Sequence, residues 1–336
     1  MSRPKSLAIV GCGIISHAHA QAAANHPQRL RLAGCADVVR EKASAFAEQY
    51  GIPAVYSDFR EMIREERPDV VALATWPVLH EEQVLACCEL GVPAILCEKS
   101  LAMNAASARK MASAAESAGT LLLEGFMWRH HPRTLEAQRL VRRENFGPLR
   151  KMRAVFQRNA MADAPGSWKH RPETGGGVVY DFCCYCVNAA GAFFPGMPES
   201  VLASWQRTPE GLVTDLNGLL LYPGGQIAII ESGYRHAFLQ QLELHGTDSI
   251  IRIANCFTPG NQADIEATAH GKSRSFDAVP TEACVQADEQ MLHLIDCLET
   301  GREPRFSSRE SVNNHAILDA LLASAASGRA VAPVLP

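Results

Sequence analysis

The first 125 residues alternate short apolar segments with longer segments of helical pattern, and this alternation constrains the fold more than any other feature of the chain. Apolar strands are predicted at residues 6–10, 30–36, 70–74, 93–97 and 121–123, and helices at 14–25, 39–50, 81–90 and 105–118. Strands separated by helices of about 12 residues form parallel βαβ units, with helices on both faces of the sheet. We therefore predict an α/β domain of the Rossmann type, with a doubly wound parallel sheet.

The remainder of the chain shows a different pattern, in which β-type segments are separated by turns such as Pro223-Gly224-Gly225. Consecutive strands with short turns favour an antiparallel sheet, and the accompanying helices make this half α+β. The β-type segments lie at residues 151–157, 200–207, 212–221, 226–231, 242–245 and 249–253, and the helices at 135–144, 282–299 and 310–327. Because 336 residues suit two domains, we predict one domain over residues 1–124 and a second over 125–336.

The charge balance indicates which partners to expect. The chain has 32 Lys and Arg against 36 Asp and Glu, a net charge of −4, and no run of basic residues. A nucleic-acid partner is therefore not expected, whereas a small-molecule substrate is compatible with this balance. No apolar stretch reaches about 18 residues, so we expect no transmembrane helix and no membrane partner.

The N-terminus has some features of a secretory signal peptide, since Arg3 and Lys5 precede an apolar run. Two glycines interrupt this run, which favours a strand followed by a turn instead. Eleven scattered cysteines, in a chain too long to need disulfides, indicate a reducing compartment, and we predict a cytoplasmic location. The sequence Cys183-Cys184-Tyr185-Cys186 lacks a second close Cys or His pair, so we interpret its cysteines as small buried residues and predict no metal site.

The segment Gly11-Cys12-Gly13-Ile14-Ile15-Ser16 lies between the first predicted strand and the first predicted helix. It is a GxGxxG pattern with serine in the last place. The first glycine permits a tight turn, the second lets a pyrophosphate approach the backbone, and the helix N-terminus offers free N–H groups. We predict that Gly11, Gly13, Ile14 and Ile15 bind a dinucleotide; the alternative is a glycine turn without a ligand.

Asp37 ends the second predicted strand, where an acidic side chain can accept hydrogen bonds from the ribose hydroxyls of an adenosine. A carboxylate there would repel a 2′-phosphate, so we expect NAD or NADP as the cofactor, with NAD favoured. Arg40 lies close by and could reverse this preference. The alternative role for Asp37 is that of an acid at the start of a helix.

Lys99 directly follows the predicted strand at residues 93–97. Ligands of doubly wound sheets bind at the carboxyl ends of strands, so this lysine could lie beside a nicotinamide and donate a hydrogen bond to a substrate hydroxyl. The alternative is a surface lysine at the end of a strand.

Three glycines, Gly175-Gly176-Gly177, precede a predicted helix that carries Asp181 and Tyr185. If this helix begins at about residue 178, the two side chains are spaced i, i+4 and project from one face. A nearby ammonium such as that of Lys99 would favour the phenolate, so Tyr185 could act as an acid/base on an alcohol or carbonyl. The alternative is a buried tyrosine beside a capping aspartate.

Together these motifs resemble the oxidoreductase family named for glucose–fructose oxidoreductase, inositol dehydrogenase and MocA. The resemblance is greatest to the aldose and dihydrodiol dehydrogenase branches and covers nearly the whole chain. It is carried by the segment 11–16 with His19, Thr75-Trp76-Pro77 with His80, Glu98-Lys99 with Leu101, the segment 124–132, the segment 175–188 and the segment 309–331.

The resemblance implies a Rossmann domain followed by a domain with a large, mostly antiparallel open sheet, one face of which commonly forms a homo-oligomer contact. It implies hydride transfer between a nicotinamide and a sugar, polyol or related alcohol. The catalytic residues would be Lys99, Asp181 and Tyr185. Cofactor-binding roles are implied for Thr75, Trp76, His80, Glu98 and Lys99, and weaker candidates for the substrate wall are Trp128, Arg129, Lys169, His170 and Arg171.

Three positions depart from the pattern of the family. Ser100 replaces the proline after Lys99, which leaves the loop that directs this lysine less rigid. Cys183 replaces a common glycine, and Ser16 replaces the last glycine of the turn. Two other functions are compatible with the fold: a non-catalytic sensor that binds a dinucleotide, and an NAD-dependent glycosidase.

Overall fold

The computed structural model describes residues 3–163, 166–258, 264–268, 276–282 and 284–336. The chain divides into two compact units. The first consists of residues 1–127 with 286–311, and the second of residues 128–285 with 312–336. Position 283, within one predicted helix, lies outside the described residues.

The first unit contains a sheet of six parallel strands in the order β3-β2-β1-β4-β5-β6. The strands are β1 (Lys5–Val10), β2 (Leu30–Ala36), β3 (Val55–Tyr56), β4 (Val70–Leu73), β5 (Ala94–Glu98) and β6 (Leu121–Gly125). The helices between them are α1 (Ser16–Asn25), α2 (Arg40–Tyr50), α3 (Phe59–Glu66), α4 (Pro77–Glu89) and α5 (Ala105–Ala118). The order reverses between β1 and β4, and this arrangement confirms the predicted Rossmann-type sheet.

The sequence analysis predicted no element between α2 and β4, where the structure has β3 and α3. β3 is only two residues long, too short to give an alternating pattern. α3 has the sequence FREMIREE, in which charged residues outnumber the two buried ones, Met62 and Ile63. α4 begins at Pro77, four residues before its predicted start at residue 81. Proline is suited to the first turn of a helix, because backbone N–H groups there have no intrahelical acceptor and the missing N–H costs no hydrogen bond.

α8 (Gln286–Thr300) packs with the first unit, although it follows most of the second unit in the chain. Met291, Leu294 and Ile295 are buried in the same apolar cluster as β1. Asp288 accepts a hydrogen bond of 2.9 Å from the side-chain amide of Asn25. The sequence analysis assigned this helix to the domain over residues 125–336; the assignment of cofactor and substrate roles to the two domains stays a prediction.

The second unit contains an eight-stranded sheet in the order β14-β13-β12-β11-β7-β10-β9-β8. β7 and β10 are parallel, and the other neighbours are antiparallel, as predicted for the α+β half. The strands are β7 (Leu149–Asn159), β8 (Ser200–Arg207), β9 (Val213–Leu221), β10 (Ile227–Gly233), β11 (Arg235–Gly246), β12 (Ile250–Ala254), β13 (Ile265–Thr268) and β14 (Phe276–Val279). The helices are α6 (Pro132–Leu140), α7 (Cys184–Phe193) and α9 (Ser308–Ser327), the last of which begins in the first unit.

α9 packs closely against β8 and β9, since a Cβ on Gly218 would lie 2.7 Å from the side chain of Leu321 and the N–H of Ala203 donates to the hydroxyl of Ser324 at 3.0 Å. None of the eleven cysteines, all of which lie within the described residues, forms a disulfide, and all but Cys284 are buried, as small apolar residues would be. No helix within the described part of the chain is long and apolar enough to cross a membrane.

Candidate functional site

The glycine turn after β1 has the backbone that a dinucleotide site needs. Gly11 has φ +87°, and a Cβ there would lie 2.8 Å from the carbonyl oxygen of Ala74, so only glycine fits. Gly13 is exposed, and nothing lies within 4 Å of the position that its Cβ would take. α1 begins three residues later, at Ser16, so the first free N–H groups of this helix follow directly on an open stretch of backbone.

Asp37 lies at the end of β2, beside this turn. Its carboxylate accepts a hydrogen bond of 2.9 Å from the backbone N–H of Cys12, and another of 2.9 Å from that of Val39. Ile14 and Val38, next to the turn and to Asp37, are 95% and 90% exposed. Exposed apolar side chains beside a glycine turn and a carboxylate mark a binding surface, and these residues fit the phosphates and the adenosine of a dinucleotide.

Thr75 and Trp76 follow β4 at the same edge of the sheet. The methyl group of Thr75 lies 2.9 Å from the Cβ position of Gly11, and its hydroxyl donates a hydrogen bond of 2.5 Å to Gln83. Trp76 is 40% exposed. Thr75 therefore shapes the glycine turn, and Trp76 presents an aromatic surface at the carboxyl end of β4.

The loop that carries Lys99 is held by three buried side chains. The backbone N–H of Lys99 donates to Glu98 at 3.3 Å, and that of Leu101 donates to Glu124 at 2.8 Å. Nδ1 of His80 lies 3.0 Å from the carbonyl oxygen of Ser100. The Lys99–Ser100 peptide bond is cis. The expected looseness of a loop without proline is therefore countered by side-chain contacts on both sides of Ser100.

His80 and Glu98 thus contact groups of the protein itself. His80 is fully buried, and burial lowers its pKa, so the imidazole is neutral at neutral pH. Glu98 lies 2.9 Å from Nε2 of His19. Both residues can serve cofactor binding through the backbone that they hold.

In the second unit, the segment of Asp181 differs from the predicted regular helix. Residues Val179–Cys183 form a π-helical turn, and α7 begins only at Cys184. The N–H of Cys184 bonds to the carbonyl of Val179, five residues back, which widens this turn. Asp181 lies in this π-helical turn and Tyr185 in α7, so the two residues do not belong to one regular α-helix as predicted. That their side chains share one face stays a prediction.

Asp181 is buried, and two side chains bind its carboxylate. Oδ2 accepts a hydrogen bond of 3.0 Å from the hydroxyl of Tyr234 and lies 2.9 Å from the ammonium of Lys169. The sequence analysis named Lys169 only as a candidate for the substrate wall and did not consider Tyr234. Tyr234 comes 53 residues after Asp181, and no spacing rule connects a residue that follows a strand with one in a helical turn.

Tyr185 is half-buried and lies among aromatic rings. Its ring centroid is 5.4 Å from that of Phe156 and 5.2 Å from that of Phe257. Phe156 in turn stacks on Phe182 at 4.2 Å. The phenol of Tyr185 therefore belongs to an apolar wall, in which a hydroxyl group is less hydrated than in water.

The weaker candidates are also located in the second unit. The indole of Trp128 is buried and donates a hydrogen bond of 3.0 Å to Asn188, and the guanidinium of Arg129 lies 5.9 Å from the indole centroid. Nε2 of His170 lies 2.8 Å from the carbonyl oxygen of Ala160. Contact of Trp128, Arg129, His170 and Arg171 with a substrate stays a prediction.

Comparison with known proteins identifies the family. The sequence model described as "Oxidoreductase family, NAD-binding Rossmann fold" matches residues 5–126, and the "GFO/IDH/MocA C-terminal domain" model matches residues 134–252. The chain therefore belongs to the Gfo/Idh/MocA oxidoreductase family, as the motifs predicted, and is an NAD(P)-dependent oxidoreductase.

Two curated relatives and two solved structures illustrate the similarity. A protein of Haloferax volcanii named D-xylose 1-dehydrogenase (NADP(+)) 2 is 30% identical over 330 residues, which cover 97% of this chain and 98% of the relative. Trans-1,2-dihydrobenzene-1,2-diol dehydrogenase of Xenopus tropicalis is 31% identical, over 70% of each chain.

Among solved structures, aldose-aldose oxidoreductase from Caulobacter crescentus, complexed with glycerol, has a TM-score of 0.87 and 25% identity. The aligned region covers 98% of this chain and 100% of the chain in that structure. Levoglucosan dehydrogenase, in complex with NADH and levoglucosan, has a TM-score of 0.90 at 19% identity, and the aligned region covers 98% of this chain and 99% of the dehydrogenase chain. At 19% identity, the similarity to levoglucosan dehydrogenase concerns the fold alone.

Replacing Gly13 with alanine separates cofactor binding from folding. Gly13 lies outside the left-handed region and its Cβ would meet no protein atom, so we expect the free energy of unfolding of Gly13→Ala to change by less than about 0.5 kcal/mol. The added methyl group occupies the space that a pyrophosphate needs, so the dissociation constant for NAD(H) should rise by about tenfold or more. Isothermal titration calorimetry and urea denaturation measure the two quantities.

Gly119→Ala is the matched control. Gly119 ends α5 with φ +67° and is open to solvent, so alanine there should cost about 1 kcal/mol of stability and leave NAD(H) binding unchanged. Wild-type affinity in Gly13→Ala would contradict the assignment of this turn to the cofactor.

Proposed function

We propose that this oxidoreductase transfers a hydride between a nicotinamide and a hydroxyl or carbonyl carbon of a sugar, polyol or similar small alcohol. One observation carries the proposal: Gly11, Asp37 and Lys99 follow β1, β2 and β5 at the carboxyl edge of one parallel sheet. A glycine turn, a ribose-binding carboxylate and an ammonium at this edge suit a dinucleotide and a polar substrate.

The relatives support the class of substrate. Their names refer to D-xylose, to a dihydrodiol and to aldoses, all of which carry secondary hydroxyl groups on a ring or a short chain. The aromatic wall around Tyr185 supports the same class, since the C–H groups of sugars and cyclic diols pack against aromatic faces.

Tyr185 exchanges the hydroxyl proton at its phenol oxygen. The cofactor, when bound, accepts or donates the hydride. Lys99 favours the phenolate of Tyr185 and donates a hydrogen bond to the substrate oxygen, and Asp181 orients the pair. Burial raises the pKa of Tyr180 to about 12, and burial together with Asp181 holds the pKa of Tyr234 well above its usual value. Those two phenols therefore stay protonated at neutral pH.

Asp37 supports a preference for NAD. Its carboxylate is fixed beside the glycine turn by the N–H groups of Cys12 and Val39, and a carboxylate that binds the ribose hydroxyls of an adenosine would repel a 2′-phosphate. Arg40 is exposed nearby and could offset this repulsion. The Haloferax relative is named as NADP-dependent, so cofactor preference needs its own measurement.

The uncovered face of the second sheet supports a homo-oligomer. Leu202, Leu219 and Ile229 are neighbours across β8, β9 and β10, and the two leucines are 42% and 37% exposed. A row of apolar side chains on an exposed sheet face favours contact with another protein surface, here a second copy of the chain. The free cysteines support a reducing compartment such as the cytoplasm.

Substitution of the proposed acid/base and its lysine should abolish most of the activity. We expect Tyr185→Phe and Lys99→Met each to lower kcat by about 10²- to 10⁴-fold, because proton transfer and its electrostatic support are lost. The rate of NADH formation on a panel of aldoses and polyols, followed by the absorbance of NADH, measures kcat. Tyr180→Phe is the control and should retain activity; near-wild-type rates in both site variants would refute the assignment.

Removal of the Asp37 carboxylate should shift the cofactor preference. In Asp37→Ser, the ratio of kcat/KM for NAD to that for NADP should fall by about tenfold or more, because the repulsion of the 2′-phosphate is removed. Initial rates with both cofactors give the ratio. An unchanged ratio would show that Asp37 does not face the ribose.

A charge on the apolar sheet face should dissociate the oligomer. We expect wild-type protein to sediment as a dimer or tetramer and Leu219→Glu as a monomer, since a carboxylate buried in an apolar contact is unfavourable. Val334→Glu, at a position that is 75% exposed, is the control. A monomeric wild-type protein in sedimentation velocity would refute this proposal.

A further inference from the structure

Asp181 is held by two side chains to which the proposed reaction assigns no step. The carboxylate side chain is only 5% exposed, and a buried carboxylate is unfavourable unless hydrogen-bond donors or a positive charge compensate it. Lys169 and Tyr234 provide this compensation, and both contact the same oxygen, Oδ2. The orientation of the carboxylate is therefore set by two fixed donors.

The two donors come from different elements and differ in character. Tyr234, next to the end of β10, is completely buried, and its hydroxyl also lies 3.1 Å from the carbonyl oxygen of Gly177. Its raised pKa keeps it a neutral donor. Lys169, in the 3-10 turn of residues Trp168–His170, has a side chain that is 23% exposed and supplies the positive charge.

The glycine segment fixes the turn that carries Lys169. The N–H of Gly177 donates to the carbonyl oxygen of Lys169 at 2.9 Å, and that of Gly176 donates to Arg171 at 3.0 Å. A Cβ on Gly176 would lie 2.5 to 2.7 Å from the carbonyl oxygens of Trp168, Arg171 and Lys169. Glycine is therefore needed here for close approach of the lysine turn, a requirement independent of any ligand.

The other cation near this carboxylate is already paired. Arg158 forms two hydrogen bonds with Asp163, of 2.7 and 2.6 Å, and this contact raises the pKa of the arginine. Arg158 and Lys169 each lie 5.8 Å from the ring centroid of Phe182, which follows Asp181 in the chain. Lys169 is thus in direct contact with Asp181, whereas Arg158 pairs with Asp163.

We propose that Lys169 and Tyr234 are positioning residues, which act through Asp181 by fixing the direction of its buried carboxylate. The inference rests on the proposed function, in which Asp181 orients the proton-exchanging pair. The ammonium of Lys169 contacts the carboxylate from one side, and Tyr234 holds it against the backbone of Gly177.

The effect should be on kcat and not on cofactor affinity. We expect Lys169→Met to lower kcat by roughly 10- to 100-fold, because a displaced orienting group misaligns the reacting atoms. The dissociation constant for NAD(H) should stay within about twofold, since the substituted side chain belongs to the second unit. Lys169→Arg keeps the charge and should restore most of the rate. Lys42→Met, at an exposed position of α2, is the matched control.

A double-mutant cycle separates positioning from a direct role. If Lys169 acts through Asp181, Lys169→Met should lower kcat by no more than about twofold when it is added to Asp181→Asn. A further loss as large as in the wild-type background would overturn the inference, as would wild-type kcat in the single variant Lys169→Met. Tyr234→Phe should follow the same pattern.

The cycle consists of four proteins: the wild type, Lys169→Met, Asp181→Asn and the double variant. These proteins also test the inference if the enzyme proves inactive on every alcohol tested. That result would refute the proposed function by itself. The free energies of unfolding of the four proteins are then measured by urea denaturation. Coupling between Lys169→Met and Asp181→Asn would support the inference that Lys169 holds the carboxylate of Asp181, and additive effects would overturn it.

Discussion

The reversal of strand order between β1 and β4 is the constraint on which the first unit depends. Because β2 lies on one side of this pair and β5 on the other, the connections that leave β1 and β4 separate at the carboxyl edge. The chain that leaves β1 must therefore turn at this edge without a steric clash with the backbone that follows β4. Gly11 meets this requirement, since any Cβ would collide with the carbonyl oxygen of Ala74. This turn places the open backbone of Gly13 and the carboxylate of Asp37 at the same edge, where we propose that the dinucleotide binds.

The loop after β5 shows how one departure from the family pattern can be accommodated. A proline after Lys99 would stiffen the backbone by its ring, which Ser100 lacks. In this chain Glu124 binds the N–H of Leu101 and His80 lies against the carbonyl oxygen of Ser100, both from buried positions. These contacts from other elements restrict the loop in which the proline ring is missing.

The sequence predicted the parts of this protein that depend on local pattern. β1, β2 and α5 follow from apolar runs and helical spacing, and the turn at Gly11 follows from glycine chemistry. The features that it did not predict depend on distant contacts. β3 has two residues and is defined by pairing with β2, and α8, although predicted as a helix, joins the first unit through packing against α1. For the same reason Tyr234 was not predicted as a partner of Asp181, and the π-helical turn at Asp181 was taken for a regular helix.

Buried carboxylates have different roles in the two units. Those of the first unit bind the main chain around Lys99, and that of the second unit is itself bound by side chains. In the first unit Glu98 and Glu124 accept backbone N–H groups, so they fix a stretch of main chain. In the second unit Asp181 accepts from an ammonium and a phenol, so the carboxylate itself is the group that is fixed. A proton-exchanging phenol needs neighbours whose charge and direction do not change during the reaction. An aspartate held by two donors meets that need better than a mobile surface carboxylate, which explains why the structure buries it.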